Sequence, residues 1–431
     1  MAAVNPLLES IGEDVMGFLN EIQLLYPQAI SLASGRPDEQ FFDIGAFPGY
    51  FDVFVDAVSA AENRDKDKVL KGLGQYNKTK GIINEHIARY LQNDEEIAVD
   101  PEDIIVTVGS QEAMAIAVIT LCDKEKDVIL VEDPTYVGIT HFSLISGYSI
   151  DEVSTQPNGG FARRVEERIT HHKSVGKNVK LLYIIPDFQN PTGARMPEGE
   201  RQSLLDLALR HDFYILEDNA YGEFSYNEGR ILPIKAIDTH SRVIYMRSFS
   251  KTIYPSLRLS AMVADQMVGL PGNEKPLSDL MARTKGYLTV NTPSINQAIL
   301  GGMLIQNKFS LKRINQAKVD TMRGKRDLLL SLLHRHLAGM GREWAEGISW
   351  NEPEGGFFMT IRVPFSIGKA EVVFCAENFG VIFTPMSFFY VSKGGECEIR
   401  IAYSNVGGED MEQAIDRMVC YFKSRLKNKI L

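Results

Sequence analysis

The sequence predicts an α/β protein built around a mostly parallel sheet, and three observations carry that expectation. Short, nearly all-apolar runs rich in β-branched residues recur from about residue 100 onward. Segments of helical period lie between several of them, and the pattern changes after about residue 310. Strands that read as continuous apolar runs are buried on both faces, as in parallel sheets covered by helices.

The runs cover residues 104–108, 128–131, 181–185, 213–216, 243–246 and 259–263. Residues 113–121 have helical period after the first run, and residues 199–209 precede the fourth. Ahead of the first run, residues 7–25 read as a mostly helical arm, and residues 29–37 as a short apolar run stopped by a Gly/Pro turn. Behind the last, residues 311–337 read as one long, charged, partly amphipathic helix. Residues 356–363, 381–386 and 397–402 alternate like the strands of a smaller sheet. Met411, Ala414, Ile415, Met418, Phe422 and Leu426 fall at helical spacing, a docking face that core packing fully explains. The expected organisation is an N-terminal arm with part of a small domain over residues 1–45, a large domain over 46–310, and a small α+β domain over 311–431. A chain of 431 residues suits two domains, and no internal repeat or low-complexity tract interrupts it.

Composition narrows the class. Hydrophobic residues make up 44% and charged residues 24%, so the chain can bury a large core without disulfides or a structural metal. The net charge of −10 gives no whole-molecule attraction to nucleic acid or anionic lipid. No run of about eighteen apolar residues predicts a membrane-spanning helix. The N-terminal segment lacks a basic region followed by an apolar run, so no signal peptide is expected. Cys122, Cys375, Cys397 and Cys420 form no CxxC pair; no metal site is expected, and the setting reads as reducing and cytoplasmic.

In open parallel sheets ligands sit outside the carboxyl ends of the strands, so chemistry belongs in the segments that follow each run. In Gly109-Ser110-Gln111 a helix opens with a hydroxyl and an amide, and helix N-termini attract phosphate; Ser110 reads as easily as a plain N-cap. Tyr136, in Asp133-Pro134-Thr135-Tyr136, can stack on a planar ring or pack at the surface. In Asn190-Pro191-Thr192-Gly193 the proline holds the preceding residue extended, which fixes the Asn190 side chain at a strand end; an ordinary turn is the equal alternative. Asp218, in Glu217-Asp218-Asn219-Ala220-Tyr221, follows an apolar strand where burial demands a cationic partner; a solvated loop carboxylate is the alternative. In Ser248-Phe249-Ser250-Lys251, followed by Arg258, a lysine at a strand exit can become a Schiff-base nucleophile, and the hydroxyls and arginine can hold a phosphate dianion. Standing alone, this segment reads as an exposed Lys/Arg loop.

The order of these pieces resembles the class I/II aminotransferases of fold type I, and among them the kynurenine/α-aminoadipate aminotransferase subgroup. Pro353-Glu354-Gly355-Gly356-Phe357-Phe358 and Glu398-Ile399-Arg400-Ile401-Ala402-Tyr403-Ser404 continue the resemblance, which runs from about residue 25 to the C-terminus. It implies a large domain with a mostly parallel seven-stranded sheet between helices, a smaller α+β domain, and pyridoxal 5'-phosphate as cofactor. It implies that Lys251 holds the cofactor as a Schiff base and moves the substrate α-proton. Asp218 would pair with the pyridine nitrogen, Asn190 and Tyr221 would contact the ring 3-oxygen, and Tyr136 would stack on the ring. Ser110, Gln111, Ser248, Ser250 and Arg258 would hold the phosphate. Tyr76, in Gly74-Gln75-Tyr76, would reach the phosphate of a neighbouring subunit, so the site would need a homodimer. Arg400, helped by Asn190 and the backbone near Gly35, would clamp the substrate α-carboxylate.

The sequence departs from the family pattern near the entrance. Ser34-Gly35 replaces the usual Gly-Gly, and Arg36 stands where an apolar residue is common. Arg36 reads as a recogniser of a polar substrate side chain or, slightly better, as a solvated residue. The lid segment ahead of Tyr76 is weakly patterned. Amino-group transfer between an amino acid and a 2-oxo acid is the expected reaction. The rivals are another pyridoxal reaction on the same fold (a lyase or an amino-acid oxidase or hydroxylase) and a non-catalytic sensor of the kind that carries an N-terminal winged-helix domain, for which the sequence is expected to leave no room.

Overall fold

The computed structural model describes residues 5–10, 15–155, 160–227, 229, 231–338 and 343–427. Four residues of the expected N-terminal arm (11–14) and the first four residues of the segment read for a signal peptide lie outside the described residues. The rest of the arm is helical, as Pro6–Ser10 and Val15–Leu25.

The strands in chain order are β1 (Ile30–Ser31), β2 (Ile104–Thr107), β3 (Asp127–Asp133), β4 (Ser149–Ser154), β5 (Asn178–Ile184), β6 (Tyr214–Asn219), β7 (Val243–Ser248) and β8 (Ser260–Val263). A short ribbon follows, β9 (Met267–Val268) with β10 (Lys275–Pro276). Then come β11 (Ser349–Trp350), β12 (Phe358–Arg362), β13 (Val381–Ile382), β14 (Thr384–Pro385) and β15 (Glu398–Ala402).

Strands β2 to β8 make a seven-stranded sheet in the order β2-β8-β7-β6-β5-β3-β4, and only β8 runs against its neighbours. All six apolar runs read from the sequence lie in it. The seventh member, β4, escaped that reading for a physical reason. It is the edge strand beyond β3, its residues Ser-Ile-Asp-Glu-Val-Ser are mostly half-buried, and so it lacks the apolar run that marks a strand covered on both faces. Helices Gly109–Leu121, Phe161–Ser174 and Glu198–His211 belong to the crossovers that cover the sheet.

The smaller sheet is antiparallel, in the order β11-β12-β15-β14. The segment 381–386, read as one strand, divides at Phe383. Its first half, β13, pairs in parallel with β1, and its second half, β14, pairs with β15. Pro385 lacks the N–H that would continue the ladder. The N-terminal strand β1 is thereby stitched to the C-terminal region. The long helix is one element, Lys312–Leu337, and the C-terminal helix Gly408–Lys427 buries Met411, Ala414, Ile415, Met418 and Phe422. The weakly patterned lid segment is helical, as Phe47–Ala61 and Lys66–Leu73. Among the described residues no helix is long and apolar enough to cross a membrane.

Candidate active site

The carboxyl ends of β2, β3, β5, β6 and β7 open into a cavity of about 700 Å³. Its wall gathers Ser110, Gln111, Tyr136, Asn190, Asp218, Tyr221, Ser248, Ser250, Lys251, Arg258, Arg400 and Gly35. These residues are spread over 366 positions of sequence, from Gly35 to Arg400, and the topology alone brings them together. Tyr76 is the exception: it is 84% exposed and is not among the residues lining this cavity.

At the cavity floor Asp218, near the end of β6, is 5% exposed. Its Oδ2 accepts a hydrogen bond from the Tyr183 hydroxyl at 2.9 Å, while its Oδ1 is buried without a partner. Burial pushes its pKa up to about 6, with the Tyr183 bond and the Lys251 charge pulling the other way. A carboxylate held dry with one oxygen unsatisfied suits a cationic N–H group from outside the protein. Tyr183 was not singled out in the sequence. It lies within β5, and only the neighbouring β6 gives it a role.

Lys251 leaves β7 through an irregular turn, and its Nζ donates to the Gly35 carbonyl at 3.0 Å. Burial lowers its pKa to about 8; the nearby Arg400, Arg258 and Arg36 charges add to the effect, and Asp218 opposes it. An amine so placed reaches its neutral, nucleophilic form close to neutral pH.

A cradle for a phosphate lies to one side. Gly109 opens helix Gly109–Leu121 at φ +74°, and a Cβ there would stand 2.5 Å from Arg258 Nη2. Glycine therefore lets the Arg258 guanidinium lie against the helix N-terminus, where unpaired N–H groups already favour an anion. Ser110 falls inside the first helical turn and does not cap it; the cap position is Val108, and the Ser110 hydroxyl lies 3.3 Å from that of Ser260. Gln111 Nε2 donates to the Gly138 carbonyl at 3.0 Å, beside Tyr136. The Ser250 N–H donates to Ser248 Oγ at 3.3 Å.

The opposite wall comes from the smaller sheet. Arg400, in β15, is 5% exposed and has no carboxylate partner among the described residues. Its Nη1 donates to Asn190 Oδ1 at 2.9 Å, and its Nη2 donates to the Ala33 carbonyl at 2.5 Å and to Thr384 Oγ1 at 3.2 Å. Its Nε is buried without an acceptor. The guanidinium carbon lies 4.6 Å from the ring centres of both Phe358 and Phe389. Burial lowers its pKa to about 10, with the Tyr221 hydroxyl opposing. A buried guanidinium served only by neutral acceptors is poised for an incoming carboxylate. Phe358 also presses on the entrance turn, where a Cβ on Gly35 would stand 2.5 Å from its Cζ. Thr384 and Phe389 had no local signal in the sequence, because their role depends on strand pairing. Asn190 faces Tyr221 as well as Arg400, and burial raises the Tyr221 pKa well above its ordinary value. Arg36 lines the cavity, yet its side chain is exposed.

The residues present fit pyridoxal phosphate: a dry carboxylate with a free oxygen for a pyridinium, an arginine and helix N-terminus for a phosphate, and a lysine between them. No group of three or more His, Cys, Asp or Glu side chains able to hold a metal occurs among the described residues.

Comparison with known proteins agrees. The family model for aminotransferase class I and II matches residues 47–418. The (S)-3,5-dihydroxyphenylglycine transaminase of Amycolatopsis orientalis is 38% identical over 412 residues, 96% of this chain and 92% of that protein. The 2-aminoadipate transaminase of Thermus thermophilus is 26% identical, covering 91% of this chain and 89% of its own. Among solved structures, the kynurenine aminotransferase of Pyrococcus horikoshii, crystallised with PMP, superposes with a TM-score of 0.81 at 26% identity over 98% of this chain and 97% of that one. The chain therefore belongs to the aminotransferase class I and II family, and it is a pyridoxal-phosphate-dependent aminotransferase of fold type I that moves an amino group between an amino acid and a 2-oxo acid.

Proposed function

We propose that Lys251 is the residue that holds the cofactor covalently and carries the substrate α-proton on Nζ. The observation that supports this is the shared cavity: one amine with a lowered pKa and one buried carboxylate with an unsatisfied oxygen line the same space. Bound pyridoxal phosphate supplies an electron sink for the charge left at the substrate α-carbon. The protein's own groups do the rest. Asp218, with its free oxygen, would pair with the pyridine nitrogen and keep it protonated by its charge. Asn190 and Tyr221 would hold the ring 3-oxygen, and Tyr136 would stack on the ring. Ser110, Gln111, Ser248, Ser250 and Arg258 anchor the phosphate. Arg400 forks onto the substrate α-carboxylate, with Asn190 beside it and the Ala33–Gly35 backbone closing that end, and Phe358 with Phe389 keeps water from the guanidinium. The division into residues 1–45, 46–310 and 311–431 puts the cofactor groups in the large domain and Arg400 in the small one, with Asn190 and the Ala33–Gly35 backbone reaching it from the other two segments.

The functional unit in this reading is a homodimer in the cytoplasm, acting in amino-acid metabolism and biosynthesis. Tyr76 belongs to the partner's phosphate site. It is strongly exposed, and the bond from Asn77 next to it to Ser294 at 3.0 Å brings it toward Ile295, itself 55% exposed. Four free cysteines suit a reducing compartment.

Borohydride reduction of the loaded protein followed by peptide mass mapping tests the central claim. The cofactor mass is expected on Lys251, and its appearance on another lysine refutes the assignment. Sedimentation at micromolar concentration is expected to give a dimer, and a monomer that turns over at full rate refutes the shared site.

A further inference from the structure

We infer that helix Lys312–Leu337 sets the position of Lys251, and that Lys318 is the positioning residue through which it acts. The inference rests on the reading of Lys251 as the cofactor lysine.

The helix presents two ammonium groups on one side, seven residues and so about 10 Å apart along its axis. Lys318 Nζ donates to the backbone carbonyl of Thr252, the residue after Lys251, at 2.6 Å. Lys325 Nζ donates to Asp38 Oδ2 at 2.5 Å and to the Ser404 carbonyl at 2.8 Å. The Ser404 hydroxyl in turn donates to the Arg36 carbonyl at 2.6 Å. The Lys251 amine itself rests on the Gly35 carbonyl.

These contacts close a circuit. Lys318 fixes the main chain beside Lys251, Lys325 fixes the turn 35–38, and the lysine side chain spans the two. Both anchors hang from one long helix, so a shift of that helix moves the amine and its resting place together. Each tie is charge-assisted and stronger than a neutral hydrogen bond. Thr252 is fully buried, and the backbone bonds bracing its turn are those from the Ile253 N–H to the Phe249 carbonyl and from the Phe249 N–H to the Leu259 carbonyl. Lys318 is half-buried, with the Tyr254 ring centre 6.0 Å away and the Glu223 charge nearby. Proton transfer from carbon needs the reacting atoms within about 3–3.5 Å, so slack at Thr252 translates into lost rate.

The test compares wild type, Lys318→Met, Lys318→Arg and, as a control, Leu329→Ala, which opens a cavity in the same helix about three turns beyond Lys318. Three quantities are read: thermal stability, kcat with the amino-acid KM, and the rate at which cofactor-free protein develops the visible band on addition of pyridoxal phosphate. Lys318→Met is expected to lower kcat and the attachment rate about tenfold, the scale of one charge-assisted bond, with KM changed less than about threefold. Lys318→Arg is expected to recover most of both rates. Leu329→Ala is expected to lose stability and keep its rates. Should Lys318→Met not fold, Lys318→Gln reads the same quantities. Unchanged rates in a folded Lys318→Met overturn the inference, as do rates in Leu329→Ala that fall in step with stability. A wild-type protein that takes up no pyridoxal phosphate overturns the Lys251 reading as well.

Discussion

The two faces of β6 and β7 carry similar charges and treat them in opposite ways. Register pairs Glu217 with Tyr245 and Asn219 with Arg247 on one face, and Asp218 with Met246 on the other. On the first face every charge is answered. Glu217 accepts from the Ile234 and Lys235 N–H groups at 2.9 and 2.8 Å, and Arg247 pairs with Glu95 and Glu223, each at 2.7 Å. Tyr90 accepts from Arg247, and Tyr245 donates to Glu95. On the cavity face Asp218 keeps one oxygen unmatched, and Arg400 across from it has no carboxylate partner among the described residues. A paired buried charge is costly to break because its partner is stranded, whereas a buried charge left short of partners already costs stability and is available to a ligand. Burial alone does not separate the two arginines; the absence of an anion beside Arg400 does.

The strongest blow to the cavity face is Lys251→Ala. Turnover should fall by roughly four orders of magnitude or more, the scale on which a covalent catalytic group is lost, and the visible band of the bound cofactor should vanish. Substantial residual turnover would place the chemistry elsewhere.

Next comes the exchange of the two arginines. Arg400→Met should lower kcat/KM for the amino acid by about 10²–10³, because it removes a charged clamp, with little loss of stability. Arg247→Met should do the reverse on the other face. It strands Glu95 and Glu223 as buried unpaired anions and should cost about 3–5 kcal/mol of unfolding free energy. Steady-state kinetics beside denaturant titration reads both, and equal profiles for the two variants would erase the contrast.

Asp218→Asn sharpens it further. Replacing the carboxylate should slow turnover by about two orders of magnitude, since the charge proposed to face the ring nitrogen is lost. In the cofactor-free protein the folded-state pKa of Asp218, about 6, lies above its unfolded value, so the folded state binds the proton more tightly. Its effect on stability therefore becomes unfavourable as pH rises from about 4 to about 6, by up to ~3 kcal/mol. The variant lacks that slope, and the difference between the two unfolding curves across this pH range isolates it. A flat difference would mean that Asp218 is not desolvated.

The smallest effect is expected at Tyr76→Phe: if the proposed dimer places its hydroxyl on a partner's phosphate, that bond is worth about 1 kcal/mol and cofactor affinity should drop about fivefold. An unchanged affinity in the dimer would remove Tyr76 from the phosphate site.

Much of this contrast could be foreseen in part. The apolar runs announced the interior strands because a strand covered on both faces has no polar alternation. The edge strand β4 made no such announcement, since half of it meets water. The motif residues Lys251, Asp218, Asn190 and Arg400 were legible through their order. Their supporting atoms were not: Tyr183, Thr384 and Phe389 acquire meaning only from the strands and loops set beside them. Ser110 resembled a cap and proved to be the second residue of the helix, behind the cap position Val108.

Sequence by itself determined the chemistry available to this protein: which side chains follow which strands, and that a lysine and an aspartate each leave a buried strand. Only the tertiary structure decided which charges go unanswered. Glu217 and Asp218 are adjacent in sequence, and the alternation of a β-strand sends one into a saturated network and the other into an open cavity. Whether a buried charge is paired depends on segments that fold back from 17 residues away, as at Glu217, to 210 away, as at Arg400, and local sequence does not encode that return.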